Sequence, residues 1–179
     1  MNDLALIALV KSIIVAGLTA NTLGDIEVAQ SFQPTQQGAN LGRTVYLHKI
    51  SDNRYGFPLR KDEWDASASK MMHTETIQME TGFQISARVL ADPADITALT
   101  ASDICNIVAQ IIQSDIALAT FKAQNVGIYR VTAFRQIYVE NDFERNEVEP
   151  SFDFTLTHKR TMVSESPILT SIEFEVHRV

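Results

Sequence analysis

Between Thr74 and Leu90 the chain changes chemistry at nearly every step. Ile77, Met79, Phe83, Ile85, Ala87 and Val89 are apolar, while Gln78, Glu80, Gln84, Ser86 and Arg88 fall between them. A period of two sends successive side chains to opposite faces of a strand, so this stretch predicts one long β-strand with a buried face. Gly82 interrupts the pattern and predicts a bend or bulge. Most strands run about five or six residues. A ribbon this long outreaches the domain that anchors it and is suited to touching another chain.

The remaining elements arrange themselves around that strand. Asn2 or Asp3 caps a first helix in which Leu4, Ile7, Ala8, Ile14, Val15 and Leu18 recur at three and four, with Lys11 as a break and Thr19 to Gly24 as the exit. Leu6, Leu9, Val10 and Ile13 make the other side apolar as well, so the helix calls for more than one neighbour: the sheet on one side, another chain on the other. Residues 30–43 read as a loop, 44–50 as a strand, and 51–72 as an exposed excursion carrying the only tryptophan, Trp64. After a connector, Thr100 and Asp103 form a capping box. It opens a helix over 101–122 that buries Ile104, Ile107, Val108, Ile111, Ile112, Leu118 and Phe121. Strands follow at 126–139, 151–163 and 168–178, the last with Ile172, Phe174 and Val176 opposite Glu173, Glu175 and His177. This order predicts a single α+β domain over residues 1–179, with a largely antiparallel sheet of long strands and two main helices packed on it.

Composition narrows the function classes. An apolar content of 45% with 21% charged residues suits one folded core, and a net charge of −7 with scattered Lys and Arg argues against holding nucleic acid through counterion release. The single cysteine, Cys105, excludes an internal disulfide and sits on the apolar side of a helix, a poor place for a nucleophile. His48, His73, His158 and His177 never pair at ligand spacing. The N-terminal stretch lacks a basic leader, carries Asp3 and Lys11, and has an apolar run shorter than the roughly 20 residues a spanning helix needs. The expectation is a protein made in the cytosol, with no membrane segment.

One segment concentrates ionisable groups: residues 140–149 hold Glu140, Asp142, Glu144, Glu147, Glu149 and Arg145. Neither register of these acids matches a calcium loop, since Arg145 or Glu147 stands where glycine is needed. A polar loop between strands also gives little of the burial that would separate two carboxylate pKa values. The expectation is no catalytic residue, no metal and no cofactor. The loop instead reads as the tip of a hairpin between 126–139 and 151–163 that contacts protein through Phe143 and Arg145. Trp64 and Phe143 are large aromatics in polar surroundings, and each either folds back on its own domain or anchors an interface.

Four stretches in order, "QSFQPTQQG" (30–38), "SDNRYGFP" (51–58), "LTASD" (99–103) and "NDFERNEVEPSFDFTLTH" (141–158), resemble bacteriophage neck or tail terminator proteins, also called tail completion proteins. The similarity runs over nearly the whole length. It implies a structural virion protein, assembled in the host cytoplasm, that forms a homo-oligomeric ring, usually a hexamer, on the head-proximal end of a tail tube. Its implied partners are the tail tube protein, a neck or head completion protein and, in a contractile tail, the sheath; DNA passes through without specific binding. With Phe32 of the first stretch, Trp64, Phe143 and Arg145 are the candidate protein-contact residues. The alternatives are another ring component of the same particle, such as a head completion or baseplate protein, and a metal-dependent enzyme built on the 140–149 loop.

Overall fold

The computed structural model describes residues 2–31, 42–89, 97–129, 131–132, 134–140 and 146–167. In chain order these form α1 (Asp3–Ala20), β1 (Glu27–Gln30), β2 (Thr44–Asp65), β3 (Lys70–Arg88), α2 (Ala101–Ile112), α3 (Asp115–Ala123), β4 (Gly127–Ile128), β5 (Arg135–Glu140) and β6 (Asn146–Pro167). The sheet runs β1-β2-β3-β6-β4, with β5 also on β6. Only β1 is parallel to its neighbour. The α+β architecture with long antiparallel strands is as the sequence predicts.

The three longest strands lie side by side, and their register puts one set of side chains under the helices. Val45 pairs with Ala87, Leu47 with Ile85, Ile85 with Phe152 and Phe83 with Phe154. All of these are buried, and the Phe83 and Phe154 rings stack at 5.5 Å. Burying each ring removes enough apolar surface to contribute on the order of 2–3 kcal/mol. Leu6, Val10, Ile13, Ile14 and Leu18 of α1 close the core from above, with Ile104, Val108 and Ile112 of α2 and Phe121 of α3. Tyr46, His48, Gln84, Ser86 and Asp153, on the opposite face, stay half-buried.

Local signals explain where the helices begin. Asn2 Oδ1 accepts from Ala5 N at 2.8 Å, and Thr100 and Asp103 make the predicted reciprocal capping box. By length and hydropathy α1 could cross a membrane, but its inner face is core.

The structure corrects four readings. The predicted helix over 101–122 is two helices, because Ser114 caps α3 by accepting from Ala117 N and the axis turns by 53°. Apolar periodicity continues across the break and so hides it. The stretch 51–65 is exposed, as read, but is strand rather than excursion, since it is paired with β3 almost throughout. Its order comes from its neighbour, not from an alternation of its own. The strand over 126–139 is two short pieces, β4 and β5, each pairing with β6. The irregularity predicted at Gly82 exists, but the extra residue is Ile50 on β2, between Lys49↔Phe83 and Ser51↔Gly82. The 168–178 strand, with Glu173 and Glu175, lies outside the described residues.

Candidate assembly surface

The helices cover only half of the long strands. On β3 burial reaches from Met79 to Ala87; on β6 it ends at His158; on β2 it ends at Leu47. Beyond these points β2, β3 and β6 continue together as a three-stranded arm roughly 25 Å long, at about 3.3 Å per residue.

Cross-strand polar pairs hold the arm in register. Arg60 Nε lies 2.9 Å from Glu75, Lys70 Nζ 2.7 Å from Glu165, and His73 bridges Asp62 at 2.7 Å and Ser166 at 3.0 Å. At the tip the Asp65 carboxylate accepts from the Ser67 hydroxyl and from Ser67 and Ala68 N–H, and these bonds hold its pKa low. Exposed ion pairs contribute at most about 1 kcal/mol each. They fix geometry without forming a core. The two outer strands also carry charges, Arg60, Lys61, Asp62 and Glu63 on β2 and Lys159, Arg160 and Glu165 on β6, which discourage unwanted strand pairing there.

A second irregularity gives the arm its most unusual side chain. Tyr55 pairs with Gln78 and Leu59 with Thr76, so residues 56–58 face a single β3 position. Gly56 adopts φ +66°, which a side chain would resist, and Pro58 has no N–H to offer a ladder. The bulge thrusts Phe57 outward, 98% exposed, with Tyr55 and Leu59 also exposed beside it. Trp64, near the tip opposite Met71, is 50% exposed. Exposed aromatics of this kind are the anchors protein interfaces favour.

At the root of the arm a polar network closes the end of the core. Lys49 Nζ donates to Asp3 at 2.6 Å and also to Asp52, which ties the start of α1 to β2. Burial works against the Lys49 charge, but the two carboxylates raise its pKa overall; Asp52, also opposed by burial, is held low by Lys49 and Thr81. Thr81 Oγ1 donates to Asp52 at 2.7 Å and lies 3.0 Å from His158 Nε2. With its proton committed to a carboxylate, Thr81 must accept, so Nε2 carries the His158 proton. Nδ1 is then a buried lone pair with no hydrogen-bond partner among the described residues. Burial pushes the imidazole pKa down.

Of the four residues singled out in the sequence, Trp64 lies on the arm, whereas Phe32, Phe143 and Arg145 lie outside the described residues. The acid segment is less of a loop than expected: Glu140 ends β5 opposite Asn146, while Glu147 and Glu149 lie in β6 opposite Val139 and Ile137. Glu149 accepts from Ser86 Oγ at 3.0 Å. Pro150 sits just before the β3–β6 ladder opens at Ser86↔Ser151, yet inside the β5 ladder opposite Gln136. Among the described residues no three His, Cys, Asp or Glu side chains gather as a metal site. Cys105 is buried, and burial pushes its thiol up to about 12. The reading missed Phe57; its signal was Gly-Phe-Pro inside a charged segment.

No curated protein matches. Among solved structures, the sheath/tube terminator of an extracellular contractile injection system (PVC), solved by cryo-EM in the extended state, superposes with a TM-score of 0.53 at 13% identity. The match covers 97% of this chain but 64% of that one, so the chain spans about two thirds of the terminator's length and shares its fold. A family model for the E217 gateway protein gp29 matches residues 5–168. The chain therefore belongs to the E217 gateway protein gp29 family.

Proposed function

We propose that this chain is the subunit of a homo-oligomeric ring, six copies in its simplest form, that caps the head-proximal end of a phage tail tube, stops tube growth and receives the neck or head completion protein. The observation that carries the reading is the arm: three long strands leave a closed core and present Phe57 and Trp64 to solvent. A subunit with no partner gains nothing from exposing them. Family membership supplies the setting. The terminator with the same fold is named for sheath and tube, which makes a tube protein, and a sheath if the tail contracts, the natural partners here.

Passage of DNA through such a ring suits a chain of net charge −7, because a bore of like charge repels phosphate and lets the duplex slide. The test is electron microscopy of tails assembled without the protein. The reading predicts tubes of uncontrolled length that fail to join heads. Normal tubes with a defect at the distal end would instead point to a baseplate component, and normal tubes on intact tails would reject the role.

A further inference from the structure

We propose that Phe57 of one copy seats in the apolar groove between α1, α2 and α3 of the next copy, a head-to-tail contact that closes the ring; the inference rests on the ring reading above. The groove has a volume of about 840 Å³ and is walled by Ile13, Leu23, Leu99, Ile107, Ile111 and Ile116, the last of them 82% exposed. Among the described residues no Asp, Glu, Lys, Arg or His lines it. The Tyr55–Leu59 bulge is likewise uncharged, although Arg54 and Arg60 flank it. An uncharged aromatic knob and an uncharged groove can meet without stranding a buried charge, which a contact through the rest of the arm would do.

Topology shows that the contact must be between copies. The start of α1 is tied to the root of the arm through Asp3 and Lys49, so the helix runs away from the arm. It then returns into β1, whose first residue Glu27 pairs with Thr44 at the start of β2. The groove takes its α1 residues from Ser12 to Asn21, the end remote from the arm. From Thr44 to Phe57 the strand advances on the order of 40 Å. Phe57 on the arm and the groove at the far end of α1 therefore lie too far apart in one molecule to meet. Two different, complementary surfaces on one subunit produce heterologous contacts, which close into a ring when the rotation permits. The charged edges of the arm favour this side-chain docking over strand addition.

The experiment replaces Phe57 with p-benzoylphenylalanine in the full chain, assembles tails with it, irradiates them and maps the crosslinks by mass spectrometry, while the tail ends are imaged. The expected result is a crosslinked pair of copies joined from position 57 to peptides covering residues 12–21, 107–111 or 114–120. A ring whose crosslinks go to the tube protein, to another face of this chain or nowhere overturns the contact and leaves the ring reading standing. Tail ends without a ring overturn both. As a second arm, Phe57→Ser should leave the melting temperature unchanged, because the side chain touches almost nothing in its own subunit, and should lower capping efficiency at least about tenfold. Capping at the normal level by the variant overturns the proposal.

Discussion

The two halves of β3 share one strand and the same neighbours, yet they live under different physics. Phe83, Ile85 and Ala87 enter a core of aromatic and branched residues beneath three helices, with buried Met79 and the hydrogen-bonded Thr81 at its end. From Lys70 to Gln78 the same strand is held by ion pairs, a threonine pair and backbone ladders, with no helix over it among the described residues. The first half can supply the stability of the subunit. The second is ordered at little energetic gain and, with the paired part of β2, leaves Tyr55, Phe57 and Trp64 available. A strand that is half core and half arm transmits the position of the folded base to a surface tens of ångströms away.

The sharpest way to break this comparison is to empty the core half. Phe83→Ala should cost about 3–5 kcal/mol, through lost transfer energy and the cavity left beside Phe154. Chemical denaturation followed by circular dichroism checks it, and a loss under 1 kcal/mol would mean that the base does not carry the fold. Next in size is the helix crossing where α1 meets α2. A Cβ on Gly17 would run into Ile111 Cγ2 and Cγ1, and the branched Ile111 has little room to turn. Gly17→Ala should therefore destabilise by about 1–3 kcal/mol, although alanine is the better helix former by about 1 kcal/mol.

Acid probes the boundary between the halves. Because the His158 pKa is lowered in the folded protein, the unfolded chain binds more protons through the acid window. Stability is then fully present above the unfolded value near 6.5 and is lost as pH falls below it toward the folded value. Melting temperature should decline from pH 7 to pH 5, and His158→Gln should flatten the decline; a profile unchanged by the substitution would remove His158 from the account. At the foot of the scale, Trp64→Ser and Val163→Ser on the arm should each shift stability by less than about 0.5 kcal/mol. A larger loss would make the arm part of the core.

The same division governs what could be read from the sequence. Where burial writes itself as periodicity, reading succeeded: the cap at Asn2, the capping box at Thr100 and Asp103, and the buried odd positions of β3 all stand where they were expected. On the arm there is no burial to write a pattern, and Gly56, Pro58 and alternating charges look like loop chemistry. Residues 51–65 are strand because β3 pairs with them. Phe57 is hidden for that reason, while Trp64 stands out as the only tryptophan. The break at Ser114 was missed because both helices present apolar residues at helical spacing to one core, and only a serine marks the turn. The acid segment drew attention as a loop, but Glu147 and Glu149 belong to a ladder whose register follows from β5.

The claim that the base is self-sufficient while the arm exists for assembly is tested most directly by hydrogen–deuterium exchange on the free chain and on tail-assembled protein. The account predicts that amides of 54–63, 71–78 and 159–166 exchange faster than those of 79–87 and 151–158 in the free chain, and that assembly slows the arm while leaving the base nearly as it was. An arm already protected like the base in the free chain, or one whose exchange does not change on assembly, would contradict it.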